Sequence, residues 1–330
     1  MRAFSVLVAA FLILGPANGA EPLRRRVVQP PRNSACAQAV VVQPIELNWL
    51  VLSGDTFFLS DRTFGIKKAP KSGGIPLPVS PKIGLDIPQI AVDETSIYFI
   101  TVDDATTGSI YSVSKNGGTP KLLATKLAAP IDLALDATSV YWANLGTLMG
   151  DDIAADGSIE RILKNGTGRQ VLADKLSTPS SIALDDADVY FSEVGLGTGN
   201  PSAGLRRVSK SGGAVAKLID DFPLLTVASS GTDVIYSGLR KNAGVFRVPK
   251  AGGTPQLLAD GLLGLMIVVR DGVVYAFVVD ENSNALIVSV PLLGGTLRVL
   301  RSADFDSRSI AVDDCAVYYG LELSVQCTPH

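Results

Sequence analysis

Short apolar runs alternate along almost the whole chain with clusters of Gly, Pro, Asp, Asn and Ser. The runs are rich in Val, Ile, Leu and aromatic residues and show no helical period, so the pattern predicts many short strands joined by tight turns. Within it an aromatic residue or pair recurs at Phe57-Phe58, Tyr98-Phe99, Tyr141-Trp142, Tyr190-Phe191, Tyr236, Tyr275 and Tyr318-Tyr319. The first aromatics are 41, 43, 49, 46, 39 and 43 residues apart. That spacing is the length of a four-stranded propeller blade.

Two further landmarks keep phase with the aromatics. A Lys-x-Gly-Gly element follows at Lys71, Lys115, Lys210 and Lys250, in a stretched form at Lys164-Asn-Gly-Thr-Gly168, and without its lysine at Leu292-Leu-Gly-Gly295. Paired glycines between strand-like runs supply the positive φ that a tight hairpin requires. An Asp precedes the aromatic by five residues at Asp93, Asp136, Asp185 and Asp313, where its carboxylate can accept turn N–H groups. Leu52, Gly231 and Arg270 take that place in the other blades. In the second copy the expected strands are 90–92, 97–101, 109–114 and 120–124, with Pro130 ending the crossover to the next blade.

A single blade cannot bury both faces, so the copies must stack in a ring. The expected fold is an all-β, seven-bladed β-propeller of four-stranded antiparallel blades, with a six-bladed ring as the alternative. The last copy stops after three strands. The β-favouring run 37–42 is expected to supply the fourth by pairing with 321–326. Cys36 and Cys327 then flank the place where other blades have a covalent hairpin. A Cys36–Cys327 disulfide would contribute about 4–5 kcal/mol in the chain-entropy model, and Cys315–Cys327 is the competing pair.

Composition adds a compartment. Met1-Arg2, a short apolar run to Leu14, the Gly15-Pro16 break and the small residues 17–20 form an export signal, too short to span a bilayer. Residues 21–35 form an unstructured leader and 36–328 a single propeller domain. The protein is expected to be secreted or periplasmic, monomeric and without a membrane span. A net charge of −3 gives no basic field for nucleic acid.

The repeated blade resembles bacterial exported propellers akin to the YWTD (low-density-lipoprotein-receptor-type) and TolB-like families. The residues that carry the resemblance are 182–190, Tyr141-Trp142, 245–254 and Leu257-Leu258-Ala259, within a likeness covering roughly 37–327. Tyr141-Trp142 continues as Ala143-Asn144 rather than Thr-Asp, and YWTD domains have six blades where seven are counted. The resemblance implies a binding scaffold, usually for protein partners.

Catalytic chemistry is thin. His330 is the only histidine, which argues against His-dependent triads and zinc motifs. No phosphate loop occurs, and Asn165-Gly-Thr167 is a glycosylation sequon inside a hairpin. What remains is charge. The loops between second and third strands carry Asp61, Asp103, Asp104, Asp151, Asp152, Asp156, Glu193, Asp280 and Glu281 against Arg62, Arg240 and Lys241. The hairpin lysines belong to the opposite face, which predicts an electrostatically two-sided disc. The two largest loops are 143–157 and 194–204, on adjacent blades. The expected ligand-binding face comprises Asp103, Asp104, Asn144, Asp151, Asp152, Asp156, Glu193 and Asn200, engaging a protein or extended ligand without catalysis. No cofactor is expected. Ca2+ is the one ion for which the acidic loop offers oxygen ligands, although the spacing matches no calcium motif. The alternative function is a carboxylate- or Ca2+-dependent hydrolase or lactonase at the central channel, disfavoured by inner strands read as mostly Ile, Ala, Val and Leu.

Overall fold

The computed structural model describes residues 47–61, 65–81, 83, 86–150, 152–196, 202–220, 223–239, 243–303, 309–321 and 324–330. Among them six four-stranded antiparallel sheets and one three-stranded sheet follow in chain order. Their first strands are Leu47–Ser53, Asp86–Val92, Pro130–Leu135, Pro179–Leu184, Leu224–Ser230, Leu262–Arg270 and Ile310–Val312. The protein is a seven-bladed β-propeller. Strands run longer than the sequence suggests. In blade 2 they are Asp86–Val92, Ser96–Val102, Thr107–Ser114 and Lys121–Ala128, and Pro130 opens the next inner strand instead of ending a crossover.

Each seam between blades holds its own hydrophobic cluster. Tyr98, Ile100 and Leu123 of blade 2 meet Leu133, Val140 and Trp142 of blade 3. Leu47, Leu50 and Phe57 of blade 1 meet Ala311, Tyr318 and Val325 of blade 7, which closes the circle. The Leu50 N–H also donates to Ser309 Oγ across that seam, at 2.8 Å. The expected pairing of 37–42 with the last blade lies outside the described residues, as do the export signal, the leader and Cys36. Cys315 and Cys327 are both free thiols, so the competing disulfide is not formed. The reason is register: Cys327 pairs with Tyr318, while Cys315 sits in the turn before that strand.

Strand register corrects the blade alignment in two places. Ala91 pairs with Tyr98 in blade 2, and the matching pairs are Val51 with Phe58 and Ala228 with Ile235. Phe58 and Ile235, not Phe57 and Tyr236, are therefore the equivalents of Tyr98. The turn aspartate is replaced by Ser53 and Ser230, not by Leu52 and Gly231.

The inner strands carry a bulge or irregularity in blades 1 to 6. A bulge leaves N–H groups unpaired within its own sheet. Such N–H groups are taken up across the seam: Leu133 donates to Gln89 Oε1 at 2.7 Å, Ile182 to Asp132 Oδ2 at 2.7 Å and Val227 to Ser181 Oγ at 3.3 Å. Gly264 donates to Ser237 Oγ at 2.8 Å, and in blade 7, whose inner strand pairs without a bulge, Ile310 likewise donates to Met266 Sδ at 3.2 Å. Side chains of one blade thus complete the backbone of the next.

Candidate functional site

The chain direction sorts the connections onto two faces. Turns from first to second strand share the lower face with the third-to-fourth hairpins. Loops from second to third strand share the upper face with the blade-to-blade crossings.

On the lower face each turn aspartate does what its position predicts. Asp93 Oδ1 accepts from the N–H of Thr95 at 2.9 Å and of Ser96 at 2.8 Å, and Asp136, Asp185 and Asp313 repeat the arrangement. The hairpin lysines do not form a free positive surface. Each reaches back to the preceding blade: Lys164 to Asp93 at 2.8 Å, Lys210 to Asp136 and Lys250 to Asp185 at 3.0 Å, and Lys71 to Asp313. Each ammonium also lies over the ring of Tyr98, Tyr141, Tyr190 or Tyr318, 5.3–5.7 Å from its centroid. The hydroxyls of Tyr141, Tyr190 and Tyr318 donate to the same carboxylates at 2.8–3.0 Å. Partial burial pushes Asp93 up, but the Lys164 ammonium and the Thr95 and Ser96 N–H groups outweigh it and hold the carboxyl at about 2. Tyr98 is pushed up to about 12 by burial and by Asp93. The expected two-sidedness is therefore corrected on this face, where four of the five hairpin lysines are paired with carboxylates in place.

The upper face stays acidic, and its carboxylates shape their own loops. Asp104 accepts from the N–H groups of Thr106 and Thr107, each at 2.8 Å, and from the Thr107 hydroxyl at 2.7 Å. These donors, the Thr106 N–H foremost, hold its carboxyl at about 2. Asp103 accepts from the hydroxyls of Thr101, at 2.7 Å, and Ser109. In blade 3, Leu148–Met149 and Asp152–Ile153 form a small hairpin. Asp156 fastens its root by accepting the Thr147 N–H and hydroxyl, both at 2.7 Å. Asp152 caps Ile153 at 2.9 Å, and Met149 at the tip is 49% exposed. Leu148 packs on the Ala129–Leu145 cluster, against which Ile131 and Leu225 of blade 5 also pack, so the hairpin is anchored at its root.

Two of the expected face residues are buried beneath it. Asn144 donates to Ser158 Oγ at 2.9 Å and Glu160 Oε1 at 2.8 Å. Glu193 accepts from Arg206 Nε at 2.9 Å, the Ser177 N–H at 2.8 Å and the Ser202 hydroxyl at 3.1 Å. Arg206 continues to Asp220 at 2.9 Å and to the Ile219 carbonyl. Gly204 is required beside it, since its φ is +150° and a Cβ there would meet the Ile219 oxygen at 2.0 Å. Asp151 and Asn200 lie outside the described residues. Among those described, no hydrogen bond or ion pair joins the blade 2 loop to the blade 3 loop.

The axis holds a set that the sequence reading missed. Asn48 Nδ2 donates to Asp86 Oδ1 at 2.5 Å, and Gln89 Nε2 donates to Asp132 Oδ1. Burial pushes the Asp132 carboxyl up, opposed by the Ile182 N–H, Gln89 and the Ser181 hydroxyl. Asn48 is 1% exposed and its Oδ1 has no partner. The available signal is that Gln89, Asp132, Ser181 and Ser309 each stand directly before the Ile/Leu-Ala-Val/Leu-Asp motif. No group of three or more His, Cys, Asp or Glu among the described residues is arranged to hold a metal ion.

With this geometry the chain falls among the β-propellers. No protein-family model matches it, and no curated protein is similar to it in sequence. Among solved structures it is similar to the extracellular domain of BT4673 from B. thetaiotaomicron, with TM-score 0.65 and 10% identity over 90% of this chain and 40% of that one. The computationally designed Ika8 protein matches with TM-score 0.59 and 13% identity over 89% of this chain and all of that one. A puromycin-hydrolyzing peptidase of Mycobacterium tuberculosis matches with TM-score 0.59 and 10% identity, over 89% of this chain and 61% of that one. At these identities the likeness establishes the fold, as the blade motifs implied, and the neighbours differ too widely to transfer an activity. No described helix is long and apolar enough to cross a membrane.

Proposed function

We propose that the protein is an extracytoplasmic, non-enzymatic binding scaffold that engages a protein or extended ligand through the upper-face loops of blades 2 to 4. The supporting observation is the blade 3 hairpin: Asp156 and Leu148 anchor its root while it presents Met149 to solvent beside acidic loops. A preformed loop binds without the ordering cost of a mobile one, and an apolar tip in a charged surround is the composition of a contact centre. The export signal read from residues 1–20 belongs to this reading, since it places the chain outside the cytoplasm.

Affinity capture with the native chain should recover a partner that a chain shortened across 145–156 does not. Met149→Glu should weaken that capture at least about ten-fold, as expected for a contact hot spot. Unchanged capture by both variants would remove this face from consideration.

A second reading has one observation behind it. Asp86 and Asp132 stand on neighbouring inner strands, with the unpartnered Asn48 oxygen next to Asp86. A carboxylate-dependent hydrolase or lactonase would need such groups at the channel. Stoichiometric Ca2+ binding by calorimetry, lost in Asp86→Asn, would favour it.

A further inference from the structure

The seven seams are not built alike. Four of them, 7–1, 2–3, 3–4 and 4–5, carry the lysine–aspartate–tyrosine clasp. At seam 1–2 Lys115 meets neutral partners, Ser53 Oγ at 2.9 Å and the Asp93 carbonyl, over the Phe58 ring. At seam 6–7 the polarity is reversed and exposed, with Arg270 bonding Asp314 and the Val312 carbonyl.

Seam 5–6 has neither half of a clasp. Ser230 stands where the aspartate would be, and Leu292 stands where the lysine would be. Both halves are lost at the same seam, so no unpaired charge is left behind. The replacement is apolar: Leu292 packs on a cluster that includes Ile235, Val245 and Leu258 of blade 5 with Leu262, Ile267 and Val288 of blade 6.

We propose that these two kinds of seam form a conformational device in which ionic strength loosens the clasped arc from blade 2 through blade 5, together with seam 7–1, while the apolar seam holds blades 5 and 6 together. Screening weakens partly exposed ion pairs and leaves apolar contacts intact. Clasp side chains are 13–29% exposed, so salt reaches them. Blades 3 and 4, which carry the two long loops, lie within the clasped arc. Their motion therefore follows salt, whatever those loops bind.

Hydrogen exchange on the whole chain at pH 7, in low salt and in 1 M NaCl, tests this. Amides of Thr95, Ser96, Thr138, Ser139, Ala187 and Asp188 donate to clasp carboxylates and should exchange about two- to five-fold faster in high salt, the range an ion pair of this exposure allows. Amides of Leu262–Arg270 and Val273–Asp280 should not respond. An equal response in all blades, or a larger one in blade 6, overturns the proposal. The double variant Asp93→Ser, Lys164→Leu copies the apolar solution into seam 2–3. It should abolish the salt response of Thr95 and Ser96 alone; persistence of that response also overturns the proposal.

Discussion

Arg206→Leu should destabilise the protein by about 3–5 kcal/mol, the cost of stranding one partner of a buried ion pair. Arg206 and Glu193 side chains are 3% and 4% exposed, so neither can recover water when the other is removed. The guanidinium also satisfies the carbonyls of Ile219 and Ala203 and bonds Asp220, which ties the third strand of blade 4 to its outer strand. Glu193 would keep the Ser177 N–H and the Ser202 hydroxyl, two neutral donors in place of a charge. Urea denaturation of the single variant measures the loss. The double variant Glu193→Leu, Arg206→Leu should recover part of it, because neither buried charge is then stranded, while the Ser177 N–H and the Ile219 and Ala203 carbonyls still lose their partners. A single-variant loss below about 1 kcal/mol would show that the pair is solvated after all.

The glutamate in that pair also shows how far the sequence could be read. Glu193 stands at the end of a second strand, where an acidic residue looks like part of a binding face. Its role depends on Arg206, thirteen residues away across a loop, and nothing local distinguishes a paired from a free carboxylate. The blades themselves were legible because their landmarks are local. An aspartate folds its own turn, glycines make their own hairpin, and each signal repeats in every copy that keeps it. The clasps were not, because Lys164 and Asp93 are 71 residues apart and meet only when consecutive blades stack.

Register failed for a related reason. Phe57-Phe58 offers two aromatics where the repeat needs one, and in a strand adjacent residues point to opposite faces. Only pairing with Val51 selects Phe58, and that choice moves the turn position from Leu52 to Ser53, which Lys115 then uses. The axial polar set is hidden in the sequence because it lies at or before the start of each apolar inner-strand motif. Asp86 and Gln89 precede the apolar core of their strand, and a bulge is what makes a polar side chain useful there.

Acid should unfold the ring over a narrow range, through the same clasps. Asp93 and Asp313 are held at about 2, and Asp136 and Asp185 lower still; in each, burial raises the carboxyl and turn N–H groups and a lysine more than reverse it. A carboxyl depressed on folding stabilises fully above its unfolded value near 4, and that stability is lost as pH falls through the folded value. A shift from 3.8 to about 2 corresponds to about 2 kcal/mol per group. Four such groups amount to about 8 kcal/mol, comparable with the whole stability of a typical domain. Thermal stability should therefore be flat from pH 7 to 5, fall steeply below 4 and vanish near pH 2. Asp132 acts in the opposite sense: burial lifts its carboxyl, so protonation on the way down returns some stability. In Asp132→Asn that return should disappear while the steep fall remains. With Asp93, Asp136, Asp185 and Asp313 all changed to Asn, the protein should be weaker at neutral pH and lose most of its acid limb, the remainder coming from groups such as Asp104. A ring still fully folded at pH 1.5, or a quadruple variant with an unaltered acid limb, would mean that the turn carboxylates do not hold the blades together.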